Sequence, residues 1–226
     1  DFGAIAMPEP LIIIPARMGS SRLPGKPLAK IAGEAMIVHV WRAACAAGLG
    51  RVAVATDDAL IADAVAVAGG EAVMTSPGHQ SGSDRVFEAA GLLDPGVVVD
   101  IVVNLQGDLP TLDPDLIAAV LAPLDNAETE IATLAAPMIE VSERDNPHIV
   151  KALGEPLGPG GILRARNFTR AAAPHGPGPL YHHIGIYAFR RQALARFVSL
   201  PPSPLEKRER LEYRHPPEPC QRGRYR

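Results

Sequence analysis

The sequence predicts an α/β protein with a doubly wound, mostly parallel sheet. Short, continuous apolar runs at residues 11–15, 52–55 and 101–105 are typical of strands that are buried on both faces. Segments with apolar residues at helical spacing lie between these runs, and polar motifs follow the runs. Because strands that alternate with helices form parallel sheets, we expect ligands to bind beyond the carboxyl ends of these strands.

The other predicted elements extend this alternation. Helices are expected at residues 35–47, 57–68, 83–90, 113–121, 192–197 and 205–213, and further strands at residues 72–74 and 184–189. Asp57, Ser83 and Asp113 are the predicted N-caps of three of these helices, since their side chains can accept hydrogen bonds from the first free amides. Pro114 suits the first position of the helix that Asp113 caps.

The length and composition indicate one domain and exclude several classes of protein. We expect a single domain at residues 7–226, with an inserted lobe at about 139–181 where glycine and proline interrupt the alternation. Residues 1–6 precede Met7 and are predicted to be a leader. A formal net charge of −3 argues against nucleic acid as a partner.

Neither a membrane span nor a disulfide framework is expected from the sequence. No apolar run approaches the roughly 20 residues that cross a bilayer, so membrane insertion is not predicted. Cys45 and Cys220 are interpreted as unpaired thiols of a reducing compartment. These features predict a cytoplasmic protein.

The first loop, Ala16-Arg-Met-Gly-Ser-Ser-Arg-Leu-Pro-Gly-Lys-Pro27, carries the residue types that bind phosphates. Backbone amides of a glycine loop and cationic side chains such as Arg17 and Lys26 suit a triphosphate. The alternative is a surface loop whose basic residues are only solvated. The loop does not match a Walker A sequence, because Pro27 occupies the place of the metal-binding Ser or Thr.

The order of residues in this loop resembles the nucleotide loop of the 3-deoxy-manno-octulosonate (KDO) cytidylyltransferases, also called CMP-KDO synthetases. Four further segments agree in order: Ala55-Thr-Asp57, the pair Thr75-Ser-Pro and His79-Gln-Ser-Gly-Ser-Asp-Arg85, Asn104-Leu-Gln-Gly-Asp108, and His183-Ile-Gly-Ile-Tyr-Ala-Phe-Arg190 with residues 201–206. The resemblance covers residues 11 to about 212. It implies a Rossmann-like nucleotidyltransferase fold with a small dimerisation lobe.

The resemblance also implies an activity. The expected enzyme is a homodimer that transfers CMP from CTP to KDO with Mg²⁺ and releases pyrophosphate, which activates the sugar for lipopolysaccharide synthesis. Its expected catalytic residues are Arg17, Lys26 and Asp108. The expected nucleotide-binding residues are Arg17, Ser20, Lys26, Gln80, Ser83, Arg85 and Gln106. Read without the resemblance, Ser83 and Asp84 are only a helix cap.

Asp108 is the predicted metal ligand, because it follows a buried strand where a carboxylate can hold magnesium against phosphate oxygens. An aspartate that only caps its own turn is the alternative. The family has glutamate at the position of Leu109, so the role of that second carboxylate is in doubt here.

The expected sugar-binding residues are His183, Tyr187 and Glu212. His183 and Tyr187 lie four residues apart on a strand and therefore share one face. Tyr187 could also be an ordinary half-buried aromatic, and Glu212 a solvated charge. The family usually has arginine at the position of His182, so a fixed positive charge has become titratable here. It usually has glutamine at the position of Tyr213.

Two alternatives stay open from the sequence. One is a cytidylyltransferase for another acidic sugar, such as a sialic acid. The other is a catalytically silent nucleotide-binding paralogue, because no motif after Tyr213 matches the family's terminal aspartate, which completes the metal site. On that ground the second metal ligand is undetermined, and we expect slower turnover than in a chain that carries it.

Overall fold

The computed structural model describes residues 9–19, 23–157, 161–172 and 180–201. The strands are β1 (Leu11–Ala16), β2 (Lys30–Ile31), β3 (Glu34–Ala35), β4 (Arg51–Thr56), β5 (Glu71–Met74), β6 (Ile101–Leu105), β7 (Ile131–Pro137), β8 (Lys151–Pro156), β9 (Leu163–Thr169) and β10 (Tyr181–Arg190). The helices are α1 (Met36–Ala46), α2 (Ala59–Val67), α3 (Gly82–Leu93), α4 (Asp115–Leu121) and α5 (Arg191–Ser199). The predicted helix at 205–213, together with Ser20 and Glu212, lies outside the described residues.

The main sheet has the order β5-β4-β1-β6-β10-β8-β9, and β7 pairs with the other edge of β10. Strands β5, β4, β1 and β6 are parallel, whereas β10 is antiparallel to β6. The prediction of an α/β fold with a parallel sheet is therefore confirmed, with an antiparallel extension beyond β6. The parallel part brings the carboxyl ends of β1 and β6 side by side.

Apolar residues on both faces of the sheet explain the helical layers. Ile12 and Ile14 of β1 pack in a cluster with α1, α2 and α4, while Leu11 and Ile13 pack in a second cluster with α3 and α5. All four of these β1 side chains are buried. Continuous apolar sequence is required here, since a central strand covered on both faces has no solvent-facing position.

Strand β10 connects the parallel part of the sheet to the rest. Its C-terminal half pairs with β6, and its first residues, Tyr181 and His182, pair with β8. Strand β7 runs along the opposite edge, and the register shifts between Ile184 and Tyr187. The hairpin of β8 and β9 falls in the stretch 139–181, where the inserted lobe is predicted.

The three predicted helix caps are each wrong by one or two residues. Helix α2 is capped by Asp58, which accepts hydrogen bonds from the amides of Leu60 and Ile61, and Asp57 is left free for another contact. Helix α3 is capped by Ser81, whose side chain accepts the amide of Asp84. The predicted cap, Ser83, lies inside the first turn and is buried. Helix α4 begins at Asp115 with Pro114 as its N-cap, one residue after the predicted Asp113, although the side chain of Asp113 accepts the amide of Asp115.

Candidate active site

A cleft of about 460 Å³ lies at the carboxyl ends of β1 and β6, next to the N-terminus of α3. It is lined by Pro15, Ala16, Arg17, Gly19, Leu23, Lys26, Pro27, Met36, His79, Gln80, Ser81, Gly82, Arg85, Gln106, Gly107 and Asp108. Of the site residues predicted from the sequence, Arg17, Lys26, Gln80, Arg85, Gln106 and Asp108 are brought together here. Ser83, His183 and Tyr187 are not among the lining residues.

The loop after β1 is folded back on itself before it reaches Lys26. The amide of Gly25 donates to the carbonyl of Met18 at 3.2 Å, and Gly25 has φ 71°, a conformation that glycine adopts without steric cost. A 3-10 turn at Lys26–Leu28 follows. Arg17 is exposed at the start of the loop and makes no hydrogen bond or ion pair with the rest of the described chain. Its guanidinium is therefore available to an anionic ligand.

Lys26 and Asp108 connect the two loops that form the floor of the cleft. Lys26 Nζ lies 2.6 Å from Asp108 Oδ2, and the side chains are 36% and 51% exposed. The loops approach closely at Gly107, where a Cβ atom would lie 3.0 Å from the carbonyl oxygen of Pro15. Glycine at 107 is therefore what lets the end of β6 lie against the end of β1.

The loop before α3 is fastened by Glu88, a residue that the sequence analysis did not identify. Glu88 Oε2 accepts the amide of Ser76 at 2.9 Å and contacts His79 Nε2. Burial opposes ionisation of Glu88, but the hydrogen bonds from His79 and Ser76 outweigh it and lower the pKa of the carboxyl. An ionised Glu88 thus holds His79, which lines the cleft, against α3.

Arg85 lines the cleft but is only 2% exposed. Its guanidinium donates to Thr75 Oγ1 at 2.5 Å and lies 3.2 Å from Asp57 Oδ1. The contact with Asp57 is an ion pair without hydrogen-bond geometry, since Asp57 Oδ1 is buried and accepts no hydrogen bond from the described residues. Arg85 therefore joins α3 to the ends of β4 and β5, and its contact with nucleotide stays a prediction.

Amide side chains continue the polar lining toward β10. Gln80 is exposed and donates to the carbonyl of Gly78, while Gln106 donates to Asn104 Oδ1 at the long distance of 3.5 Å. Asn104 is buried and donates to Ser83 Oγ at 3.3 Å. The structure thus places Ser83 under the cleft, where it supports Asn104.

The predicted sugar-binding residues form an aromatic group next to the cleft. The His183 ring centroid lies 5.3 Å from that of Tyr187 and 4.7 Å from that of Phe168. Gly185, between them in the chain, would place a Cβ atom 3.0 Å from Gln106 Cγ, so this part of β10 lies against the cleft wall. Burial, with a smaller contribution from His182, lowers the pKa of His183 to about 4. The ring is therefore neutral near pH 7.

Asp108 is the carboxylate in the cleft that is suited to a metal ion. No group of three or more His, Cys, Asp or Glu side chains arranged to hold a metal occurs in the described part of the chain. Magnesium in phosphate-transfer sites usually takes one or two carboxylates and completes its shell with substrate phosphates and water. One exposed carboxylate beside cationic groups therefore fits that ion. Leu109 packs against the hydrophobic core, in agreement with its apolar character.

The comparisons with known proteins agree on one family. A family model described as cytidylyltransferase matches residues 11–222. A 3-deoxy-manno-octulosonate cytidylyltransferase from Azorhizobium caulinodans is 62% identical over 92% of this chain and 83% of that protein. One from Nitrobacter winogradskyi is 62% identical over 89% of this chain and 79% of that protein.

Solved structures show the same relationship. A CMP:2-keto-3-deoxy-manno-octonic acid synthetase complexed with CTP has a TM-score of 0.80 and 38% identity, over 91% of this chain and 83% of that one. A cytidylyltransferase from Leptospira borgpetersenii has a TM-score of 0.54 at 19% identity, over 93% of this chain and 76% of that one, and is similar in fold alone.

We predict that His183 makes the protein less stable as the pH falls from about 6.5 to 4. In that window the unfolded chain binds a proton at His183 and the folded chain does not, so protons favour unfolding. The free energy of unfolding falls by at most about 3 kcal/mol, a limit set by the difference between the pKa values of His183 in the unfolded and folded chain. Urea unfolding at several pH values should show a shallower loss for His183→Gln than for wild type.

The control for this prediction is His148→Gln, since His148 is exposed. It should keep the wild-type pH dependence. If His183→Gln loses as much unfolding free energy as wild type over the same pH range, His183 is not buried in its neutral form.

Proposed function

The chain belongs to the cytidylyltransferase family, among its 3-deoxy-manno-octulosonate members, and we propose that it transfers CMP from CTP to KDO with release of pyrophosphate. The observation that carries the proposal is the cleft at the ends of β1 and β6, whose lining includes Arg17, Lys26 and Arg85 beside Asp108. Several cations around one carboxylate suit a triphosphate with its metal ion. The names of the relatives favour KDO over another acidic sugar.

Binding of CTP begins with the exposed cations of the first loop. Arg17 can bind phosphate without breaking a hydrogen bond or ion pair to a described residue. Lys26 must leave its ion pair with Asp108 to bind phosphate oxygens. Charge-assisted hydrogen bonds to phosphate are stronger than neutral ones, which favours this exchange. The cytosine and ribose lie along the loop that Glu88 fastens, within reach of Gln80 and Gln106. Ser20 is expected to contribute from the same first loop.

Asp108 is the residue that would hold Mg²⁺, once Lys26 has moved to the phosphates. The bound ion supplies charge neutralisation and polarisation of the α-phosphate. Asp108 is the carboxylate residue in the described lining of the cleft, so the ion would take its other ligands from CTP and water. The ion pair with Lys26 holds the Asp108 side chain in the cleft until then.

The transfer itself requires alignment more than a reactive side chain. The anomeric hydroxyl oxygen of KDO attacks the α-phosphorus, the bond from the α-phosphorus to the bridging oxygen breaks, and pyrophosphate leaves in line. The hydroxyl proton passes to solvent. His183 and Tyr187 lie next to the cleft and would orient the sugar there, and Glu212 is expected to join them. Positioning and electrostatics account for such phosphoryl chemistry.

We also infer a cytoplasmic enzyme that supplies an activated sugar for lipopolysaccharide synthesis. The described Cys45 is an unpaired, exposed thiol, as expected in a reducing compartment. CTP, the proposed donor, is a cytoplasmic nucleotide. Within the described residues, no helix has the length and apolarity needed to cross a bilayer.

We predict that the protein releases pyrophosphate from CTP only when KDO and Mg²⁺ are present, and that Asp108→Asn loses most of this activity. The amide keeps the shape of the side chain but removes the charge that holds the ion. A coupled pyrophosphate assay measures both results. Asp63→Asn, an exposed change on α2, is the control and should match wild type.

Each other outcome of this assay has a definite meaning. Release with a sialic acid but not with KDO would assign a different acidic sugar. No release with either sugar, together with measurable CTP binding, would identify a silent nucleotide-binding protein. Wild-type turnover by Asp108→Asn would overturn the metal assignment.

We propose further that the enzyme is a homodimer in which the lobe at about 139–181 supplies much of the contact. Ile139, at the start of this lobe, is 88% exposed, and β9 pairs only with β8 within the described chain. An apolar side chain and an open strand edge in one region favour association with a second copy.

We predict a dimer by sedimentation at micromolar concentration, and dissociation to monomers in Ile139→Glu. A buried charge at an apolar contact is costly to desolvate. Val67→Glu is the matched control, because Val67 is 90% exposed on α2, outside the lobe, and this variant should remain a dimer. A monomeric wild type would contradict the proposal.

A further inference from the structure

The register shift in β10 creates an unusual environment for the side chain of Thr133 on β7. Pairing of β10 with β7 shifts between Ile184 and Tyr187, and Thr133 pairs with Tyr187 just after the shift. Thr133 Oγ1 lies 2.7 Å from the carbonyl oxygen of Ile186 and 3.4 Å from that of Ile184. It also lies 3.0 Å from Nε2 of His183. The hydroxyl therefore has three polar neighbours and one proton.

The number of protons decides how these contacts are made. A carbonyl oxygen only accepts, so the short contact with Ile186 requires the Thr133 hydroxyl to donate there. The hydroxyl oxygen then has a lone pair and no proton for His183, so Nε2 must donate to Thr133. In a neutral imidazole only one nitrogen carries a proton, and Nδ1 is left as an acceptor.

The surroundings of His183 keep the ring in this state. Phe168 and Tyr187 pack against it at centroid distances of 4.7 and 5.3 Å, both tilted. The ring is neutral, because burial lowers its pKa to about 4. The side-chain hydrogen bond of His183 within the described residues is the one with Thr133, and its ring contacts are those with Phe168 and Tyr187, so Nδ1 receives no hydrogen bond from a described residue. Nδ1 is thus an acceptor without a hydrogen-bond donor among the described residues.

We propose that Thr133 is a positioning residue that fixes His183 as the Nε2–H tautomer, so that Nδ1 accepts a hydrogen bond from a hydroxyl group of the acceptor sugar. The sugar contact rests on the proposed function. A neutral acceptor nitrogen offers no cation to the sugar's carboxylate and no proton to its oxygens. His183 therefore selects a hydroxyl, and the carboxylate of the sugar is bound by another group.

The tautomer can be measured directly in the wild-type protein. Long-range ¹H–¹⁵N spectra near pH 7, without substrate, should show His183 with a protonated Nε2 and a free Nδ1. Thr133→Val removes the hydroxyl at similar volume and should lose this signature, through a mixture of tautomers or the Nδ1–H form. Thr133→Ser keeps the hydroxyl and should restore the wild-type spectrum.

The same variants test the sugar contact in the pyrophosphate assay. Thr133→Val should raise the KM for KDO about tenfold, the effect of one hydrogen bond, with the KM for CTP unchanged. Thr133→Ser should keep both values near wild type. A general structural defect would instead change both KM values or reduce the amount of folded enzyme, and Thr133→Ser shows whether the hydroxyl itself is responsible.

Three results would overturn the inference. The first is an Nδ1–H tautomer in the wild type, and the second is an unchanged tautomer in Thr133→Val. The third is an unchanged KM for KDO in Thr133→Val, which refutes the sugar contact. A blank assay with KDO overturns the proposed function and the sugar contact together, while the wild-type tautomer is decided separately, because it is read without substrate.

Discussion

The close approach of the ends of β1 and β6 is the constraint on which the cleft depends. Parallel pairing places the two loops side by side, and Gly107 leaves room for the carbonyl of Pro15. Across this junction Lys26 lies 2.6 Å from Asp108. The basic group proposed for phosphates and the carboxylate proposed for a metal ion are thus held in contact before any ligand arrives. The pair is partly exposed, so its role is arrangement of the site more than stability of the fold.

The cleft's walls are set by residues that lie behind them. Glu88 holds His79 and the amide of Ser76, and Asp57 and Thr75 hold the guanidinium of Arg85. Thr133 has the corresponding relation to His183, on the side proposed for the sugar. In each case a side chain in or next to the cleft is oriented by a partner on another element, which reduces the reorganisation that binding requires.

The parallel core could be predicted from the sequence because burial on both faces leaves a local signal. The apolar run at the start of the chain became β1, and residues 101–105 became β6. Strands β7, β8 and β9 were not predicted as such: β7 is rich in alanine, and many side chains of β8 and β9 are partly exposed, so no clear alternation appears. Their place in the sheet is set by pairing with the distant β10.

The candidate site likewise contains some residues that could be predicted from the sequence and others that could not. Arg17 and Asp108 closely follow β1 and β6, and Lys26 lies in the loop that begins at Arg17, so their meeting in one cleft could be anticipated from the position of parallel strand ends. Glu88 and Thr133 carry no local motif, since their contacts cross from one element to another and depend on the fold.

The most direct test of the account is calorimetric titration of CTP with Mg²⁺ into wild type, Lys26→Ala and Arg17→Ala. Loss of one charge-assisted phosphate contact should weaken binding by about 1.5 to 3 kcal/mol, or roughly 10- to 100-fold in Kd, for each variant. Arg42→Ala is the matched control, because Arg42 pairs with Glu34 on the surface and does not line the cleft. Unchanged affinity in both loop variants would mean that the junction of β1 and β6 does not hold the triphosphate.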